Sequence, residues 1–338
     1  MEEKKKFKIL CIDGGGIKGL YSAQVLAKFE EGFNTRLSDY FDLICGTSTG
    51  GIIALGVSAK IPMKNIVEFY ENYGPKIFAS NWKRLGSFGN LMLGFKQAIC
   101  KSKYSQKPLR EALSSVFGSR TISESHNLLC ISAYNLTDAS PRIFKRDYGS
   151  LNQDNNKTYV DVALATSAAP TYFPIKEINK FDYVDGGLFA NNPVLVGLTE
   201  YLFKWAKTGE FDGVDILSIS SCEKSQGWSP TKRKLSFYKW KDNIFDCYSN
   251  GQSLTETFFL RQLINSGTLN FDLNIVRVAN KPLSSQQEKF VNMDDASRQS
   301  MNILSSIGAK TGVDFKEKEE VKAFFKTGKT INPEDYGK

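Results

Sequence analysis

A single histidine, His126, occurs in the 338 residues of this chain, and that scarcity restricts its chemistry more than any other feature of composition. A Ser-His-Asp triad would have to use His126, which stands in SESHNLLC just ahead of a predicted strand. In a parallel α/β sheet reactive groups gather at the C-terminal ends of strands, so a side chain that precedes one sits at the wrong edge. An exposed or capping role is expected for it. The six cysteines form no CxxC pair, and four of them lie in or beside apolar runs where a buried thiol is ordinary. Neither a disulfide framework nor a zinc site follows, and no metal or cofactor is implied. Long apolar runs are also scarce. The start, MEEKKKFKILCIDGGG, has only about six apolar-leaning residues before Asp13, too few for the core of a signal peptide. The uncharged stretch 43–59 is punctuated by Gly, Ser and Thr and falls short of the roughly 18 apolar residues that span a bilayer. A cytoplasmic protein without a membrane span is the expectation.

What is present describes an ordinary folded chain. Hydrophobic residues make up 41% and charged residues 24%, close to soluble globular averages, which excludes global disorder. The 44 Lys and Arg against 36 Asp and Glu leave a formal charge of +8, which favours anionic surfaces such as phospholipid headgroups or nucleotides. The length allows one large α/β domain, taken as 1–338 with the chemistry-bearing motifs within 7–207 and 208–338 as its C-terminal part.

FKILCI reads as a buried strand, DGGG as a tight turn and IKGLYSAQVLAKFEEGF as an amphipathic helix with Leu20, Val25, Leu26 and Phe29 on one side. FDLICG repeats the strand, followed by a helix to about Ala59. Strand, glycine turn and helix, repeated, describe a parallel sheet with crossover helices. PMKNIVEFYENY predicts another helix, and 74–105 an insertion over the sheet edge with an apolar patch at 91–95. LLCISAY and RIFKR alternate as strands; VDVALATSAAP gives a helix ended by Pro170; YVDGG a strand and turn; NNPVLVGLTEYLFKWAK a helix with proline near its start. Strands at VDILSIS and LNIVRVAN and helices near 252–266, 293–308 and 315–326 complete the set. In 224–241 six basic residues interleave with four aromatics, as either an exposed helix or loop with inward aromatics or a membrane or ligand contact.

GTSTG (46–50) matches the G-x-S-x-G elbow, in which a serine sits on a sharp strand-to-helix turn whose flanking glycines avoid collision with neighbouring chain. Ser48 is the candidate nucleophile. Two parallel strands that finish side by side would set Gly14, Gly15 and Gly16 beside it, as main-chain donors to an oxyanion. Asp185, ending a predicted strand in YVDGGLFANNP, is the candidate base. A carboxylate near its usual pKa of about 3.9 is a poor base for a hydroxyl, so the role requires close hydrogen bonding to Ser48 and desolvation. A turn or capping role for Asp185 is the alternative.

DGGGIKG, GTSTG, ATSAAPTYFP and DGGLFANNP together resemble the patatin-like phospholipases in order and spacing, over roughly residues 7–207. The resemblance implies a three-layer α/β/α fold with a mostly parallel central sheet and a serine nucleophile elbow. It further implies a Ser48–Asp185 dyad without histidine, an oxyanion hole in Gly14, Gly15 and Gly16, and structural support of that loop by Lys18. The implied activity is metal-independent hydrolysis of acyl esters in membrane phospholipids through an acyl-enzyme. The chain also looks like the bacterial patatin-like effectors of cyclic-nucleotide anti-phage defence (CBASS), which implies a cyclic dinucleotide such as cyclic GMP-AMP as activator. Plant-type storage lipases of the same family, without nucleotide control, are the alternative. No nucleic-acid polymer is implied as a partner, peripheral contact with the inner face of the membrane is expected, and the oligomeric state is left open.

GGGIKG also satisfies G-x-G-x-x-G, the mark of a dinucleotide-binding oxidoreductase, but the acidic residue that would hold the ribose is missing from the end of the second strand, which reads CGTSTG. A non-catalytic binding module is the other rival, and the presence of both Ser48 and Asp185 argues against it.

Overall fold

The computed structural model describes residues 5–79, 102–224, 227, 233–234 and 237–336. The apolar patch at 91–95 and much of 224–241 fall outside them. The described strands are β1 (Lys6–Ile12), β2 (Leu43–Thr47), β3 (Leu128–Asn135), β4 (Ser140–Lys145), β5 (Lys176–Ile178), β6 (Phe181–Asp185), β7 (Gly213–Ile219) and β8 (Asp272–Val278). They form one sheet in the order β5-β6-β3-β2-β1-β7-β8, with β4 also paired to β3. Neighbours from β3 to β8 run parallel, whereas β4 and β6 pair antiparallel to β3 and β5 antiparallel to β6. The sheet is mostly parallel, and β5 was not expected from the sequence.

The central parallel strands β1, β2, β3 and β7 are buried along nearly their whole length because both faces of the sheet are covered there. In β1, Phe7, Ile9 and Cys11 enter one core with Val194, Leu198, Trp205 and Leu260, while Leu10 and Ile12 enter the other with Leu20, Ile53 and Leu304. Helices α1 (Gly19–Phe33), α2 (Thr49–Ser58), α3 (Met63–Ile77), α4 (Lys107–Phe117) and α5 (Tyr159–Thr166) supply the second core. Helix α6 (Val194–Glu200), continued by a wide turn through Tyr201–Trp205, covers the first. Cys11, Cys45 and Cys130 stand side by side across β1, β2 and β3, wholly buried, and the five described cysteines are free.

Three helices in the C-terminal part differ from the sequence reading. The helix placed at 252–266 begins far earlier, as α7 (Phe237–Asn265), and absorbs the end of the basic and aromatic segment. The helix placed at 293–308 is α8 (Arg298–Lys316), because the Ser297 side chain accepts from the Ser300 N–H and caps it there. The helix placed at 315–326 reduces to single turns at Glu319–Lys322 and Ala323–Phe325.

Asp42, just before β2, ties the C-terminal segment to the sheet. Its carboxylate accepts from the Lys8 N–H at 2.8 Å and from the Thr330 and Ile331 N–H groups at 2.6 and 2.7 Å, with no exposed surface. Replacing Asp42 with Ala would orphan three donors, two of them buried, so a loss of about 2–4 kcal/mol in urea unfolding is expected. Asp42→Asn, which keeps one acceptor oxygen, should lose less. An unchanged midpoint for Asp42→Ala would show that the segment is held by other contacts.

Candidate active site

Ser48 joins β2 to α2 with φ 55° and ψ −124°, a conformation an L residue holds only when its surroundings enforce it. The enforcement is visible. A side chain at Gly50 would place its Cβ 2.1 Å from the Ile12 carbonyl oxygen, so the elbow closes only with glycine there. The Ser48 N–H donates to Thr166 Oγ1 at 2.8 Å, and that hydroxyl donates to the Ser132 carbonyl at 2.5 Å. Helix α2 begins at the next residue and turns its positive end toward the serine.

Because Ile12 pairs with Gly46 across parallel β1 and β2, the DGGG turn leaves the sheet at the same edge as Ser48. The three glycines do not contribute alike. The Gly14 N–H is taken by the Asn191 carbonyl at 2.9 Å, which corrects its expected place among the oxyanion donors. The Gly15 and Gly16 N–H groups have no hydrogen-bond partner among the described residues. Gly16 has φ 60°, and a Cβ on it would fall 2.1 Å from the Met293 carbonyl oxygen. Lys18 ends the helical turn Gly16–Lys18, and its Cε lies 3.2 Å from where a Gly15 Cβ would project, so its stem packs against the loop.

Asp185 reaches the serine by a longer route. Thr47 pairs with Ser132 on β3, and Ala133 pairs with Asp185 on antiparallel β6, so the carboxylate arrives two strands over from the elbow. The Ser48 hydroxyl lies close enough to the carboxylate to draw its pKa down, and the Gly187 N–H donates to its Oδ1 at 2.7 Å. The side chain is only 2% exposed. Burial pushes its pKa up to about 7, while the Ser48 hydroxyl and the Gly187 N–H pull the other way. The structure therefore brings Ser48, Asp185 and the glycine turn together, and leaves His126 out. His126 is exposed just before β3, at the opposite edge of the sheet, where partial burial and the charges of Lys60 and Lys329 hold its pKa below the usual value.

Several supporting residues were not found in the sequence. Arg277 of β8 grips Asp13, the first residue of the glycine turn, through Nη1–Oδ1 at 2.9 Å and Nη2–Oδ2 at 2.5 Å, and also donates to Ser218 and Glu223. A charge inside the apolar strand LNIVRVAN was the available signal. From α7, Gln252 accepts the Asn191 N–H at 2.6 Å and donates to the Phe189 carbonyl, and the Tyr248 hydroxyl donates to the Leu188 carbonyl. Glu256, one turn on, is held up to about 8 by burial and the nearby Asp13 charge. Beside Ser48 opens an apolar slot lined by Ile52, Phe69, Tyr70, Ile77, Leu109 and Phe173.

Residues 10–198 match the family model described as patatin-like phospholipase. A Pseudomonas aeruginosa protein named cGAMP-activated phospholipase is 33% identical over 271 residues, 79% of this chain and 78% of that protein. Proteins of the same name from Escherichia coli and Vibrio cholerae are 30% and 28% identical, each over 96% of this chain and covering 94% and 95% of the relative. The chain belongs to the patatin-like phospholipase family and is a hydrolase of lipid esters. Among the described residues no helix is long and apolar enough to cross a membrane.

A buried acid whose pKa rises from 3.8 to about 7 binds its proton more tightly folded than unfolded. Stability is therefore lost as the pH climbs between those values, by up to about 4 kcal/mol. Asp185→Asn should accordingly melt several degrees above the parent protein at pH 8 and at the same temperature at pH 4, by calorimetry. A variant less stable at pH 8 would mean that the carboxylate is stabilised there.

Proposed function

We propose that the protein cleaves acyl esters of membrane phospholipids with Ser48 as nucleophile and Asp185 as its general base. The observation that carries this reading is the placement of the Ser48 hydroxyl beside the glycine turn and beside a buried carboxylate raised to about 7. A base of that strength is ionised for much of the time at neutral pH and can still take a proton from an attacking alcohol. Ser48 Oγ attacks the ester carbonyl carbon as its proton passes to Asp185. The N–H groups of Gly15 and Gly16 receive the oxyanion, helped by the positive end of α2. The ester C–O bond then breaks, and Asp185 returns the proton to the departing lysophospholipid oxygen. Water attacks the acyl-Ser48 ester and gives its proton to Asp185. The fatty acid leaves as Ser48 regains that proton. Arg277 fixes the turn through Asp13, Lys18 buttresses it, and the apolar slot receives acyl chain.

The similarity to three cGAMP-activated phospholipases, two of them along 96% of the chain, supports control by a cyclic dinucleotide of the cyclic GMP-AMP type, acting in the cytoplasm on the inner face of the membrane.

A fluorophosphonate probe should label the protein and fail to label Ser48→Ala, and Asp185→Asn should lose at least a hundredfold in ester turnover. Labelling that survives in Ser48→Ala, or turnover that survives in Asp185→Asn, would remove that residue from the mechanism. Fatty-acid release from phospholipid vesicles should rise at least tenfold with cyclic GMP-AMP or a related cyclic dinucleotide. Equal rates with and without every such compound would leave a constitutive phospholipase.

A further inference from the structure

Helix α7 is amphipathic in the inverse of the usual sense. Its inner face is largely polar: Ser249 and Glu256 are more than nine-tenths buried on the face that also carries the core residue Leu260, and Gln252 bonds the loop that follows Asp185. Its outer face carries a stripe of large apolar residues, interspersed with Gly251, Thr255 and Gln262: Leu254 is 66% exposed, Phe258 64% and Phe259 52%, with Ile244 and Tyr248 exposed two to three turns earlier. At 100° per residue these five positions fall within an arc of about 140° and extend over about 22 Å of helix. Among the helix's described side chains the exposed positions carry a single charge, the cation Arg261. An exposed stripe of this kind marks an interaction site rather than an idle surface.

We infer that the outer face of α7 docks on a phospholipid bilayer. This rests on the phospholipase reading above. Three observations select a bilayer. The helix borders the candidate active site, since Gln252 and Tyr248 bond the main chain at 188–191, so a membrane seated on it lies next to the ester to be cleaved. Among its described side chains the exposed positions combine large aromatic and aliphatic residues with uncharged polar ones, one cation and no acid, a composition that suits an interfacial helix over anionic headgroups. The chain as a whole carries +8. Docking also has a route to the chemistry, because a shift of α7 moves the loop that carries the Gly187 N–H bonded to Asp185.

The test uses the full chain and vesicles of phosphatidylethanolamine and phosphatidylglycerol at 3:1. Binding is read by co-sedimentation in a Ser48→Ala background, so that it does not depend on turnover. Leu254→Ser/Phe258→Ser should lose at least tenfold in vesicle binding. In the otherwise unsubstituted protein the same pair should lose a similar factor in vesicle hydrolysis while keeping its turnover of a soluble short-chain ester and its melting temperature. Vesicle binding that survives the pair would overturn the proposal. So would a dissociation into smaller oligomers on substitution, which would make the face a contact between copies. A wild-type protein that binds vesicles through this face but hydrolyses no ester would retain the docking surface and overturn the phospholipase mechanism instead.

Discussion

The site depends on one unusual placement: a carboxylate buried without a cation against it, facing an alcohol. Asp185 has the Ser48 hydroxyl and the Gly187 N–H beside it, and burial outweighs both, so its proton affinity rises by about three orders of magnitude. Asp13, equally buried at the same edge of the sheet, is also pushed up by burial, but it has the Arg277 guanidinium bonded to both of its oxygens. The contrast assigns the two acids. One is neutralised by an ion pair and positions the glycine turn; the other is left able to exchange a proton near neutral pH.

The surrounding elements exist in the form that this placement requires. Parallel pairing of β1 with β2 and β2 with β3 brings three chain turns to one edge, and the antiparallel entry of β6 aims Asp185 back at that edge. The strained backbone at Ser48 is offset by the Thr166 hydroxyl beneath it and by the dense cores on both faces. Asn191 does two tasks, accepting from Gly14 and donating to Gln252, and so links the glycine turn to α7. The turn that would stabilise an oxyanion and the helix that faces outward are thus parts of one hydrogen-bonded unit.

The sequence made the elbow, the glycine turn and Asp185 legible because each is a local pattern with a local cause: glycine where chain approaches chain, a strand before, a helix after. What it concealed depended on distant partners. That Gly14 spends its N–H on Asn191 is a contact between residues far apart in the chain. Arg277 has no partner within its own strand pattern to mark its role, because Asp13 lies 264 residues away. Helix α7 was shortened because hydrophobic periodicity assumes an apolar face turned inward, and here Ser249, Gln252 and Glu256 face inward while Leu254 and Phe258 face out. The short β5 and the late start of α8 followed from pairing and capping, which composition does not reveal.

The most direct test of the account is the pH dependence of kcat/KM for a soluble ester between pH 4 and pH 9, free of any membrane step. A carboxylate base buried as Asp185 is buried gives an acidic limb with an apparent pKa near 7, the rate falling tenfold for each pH unit below it. A limb near 4, or a flat profile down to that pH, would mean that the proton of Ser48 goes to some other group, or to a carboxylate that water reaches.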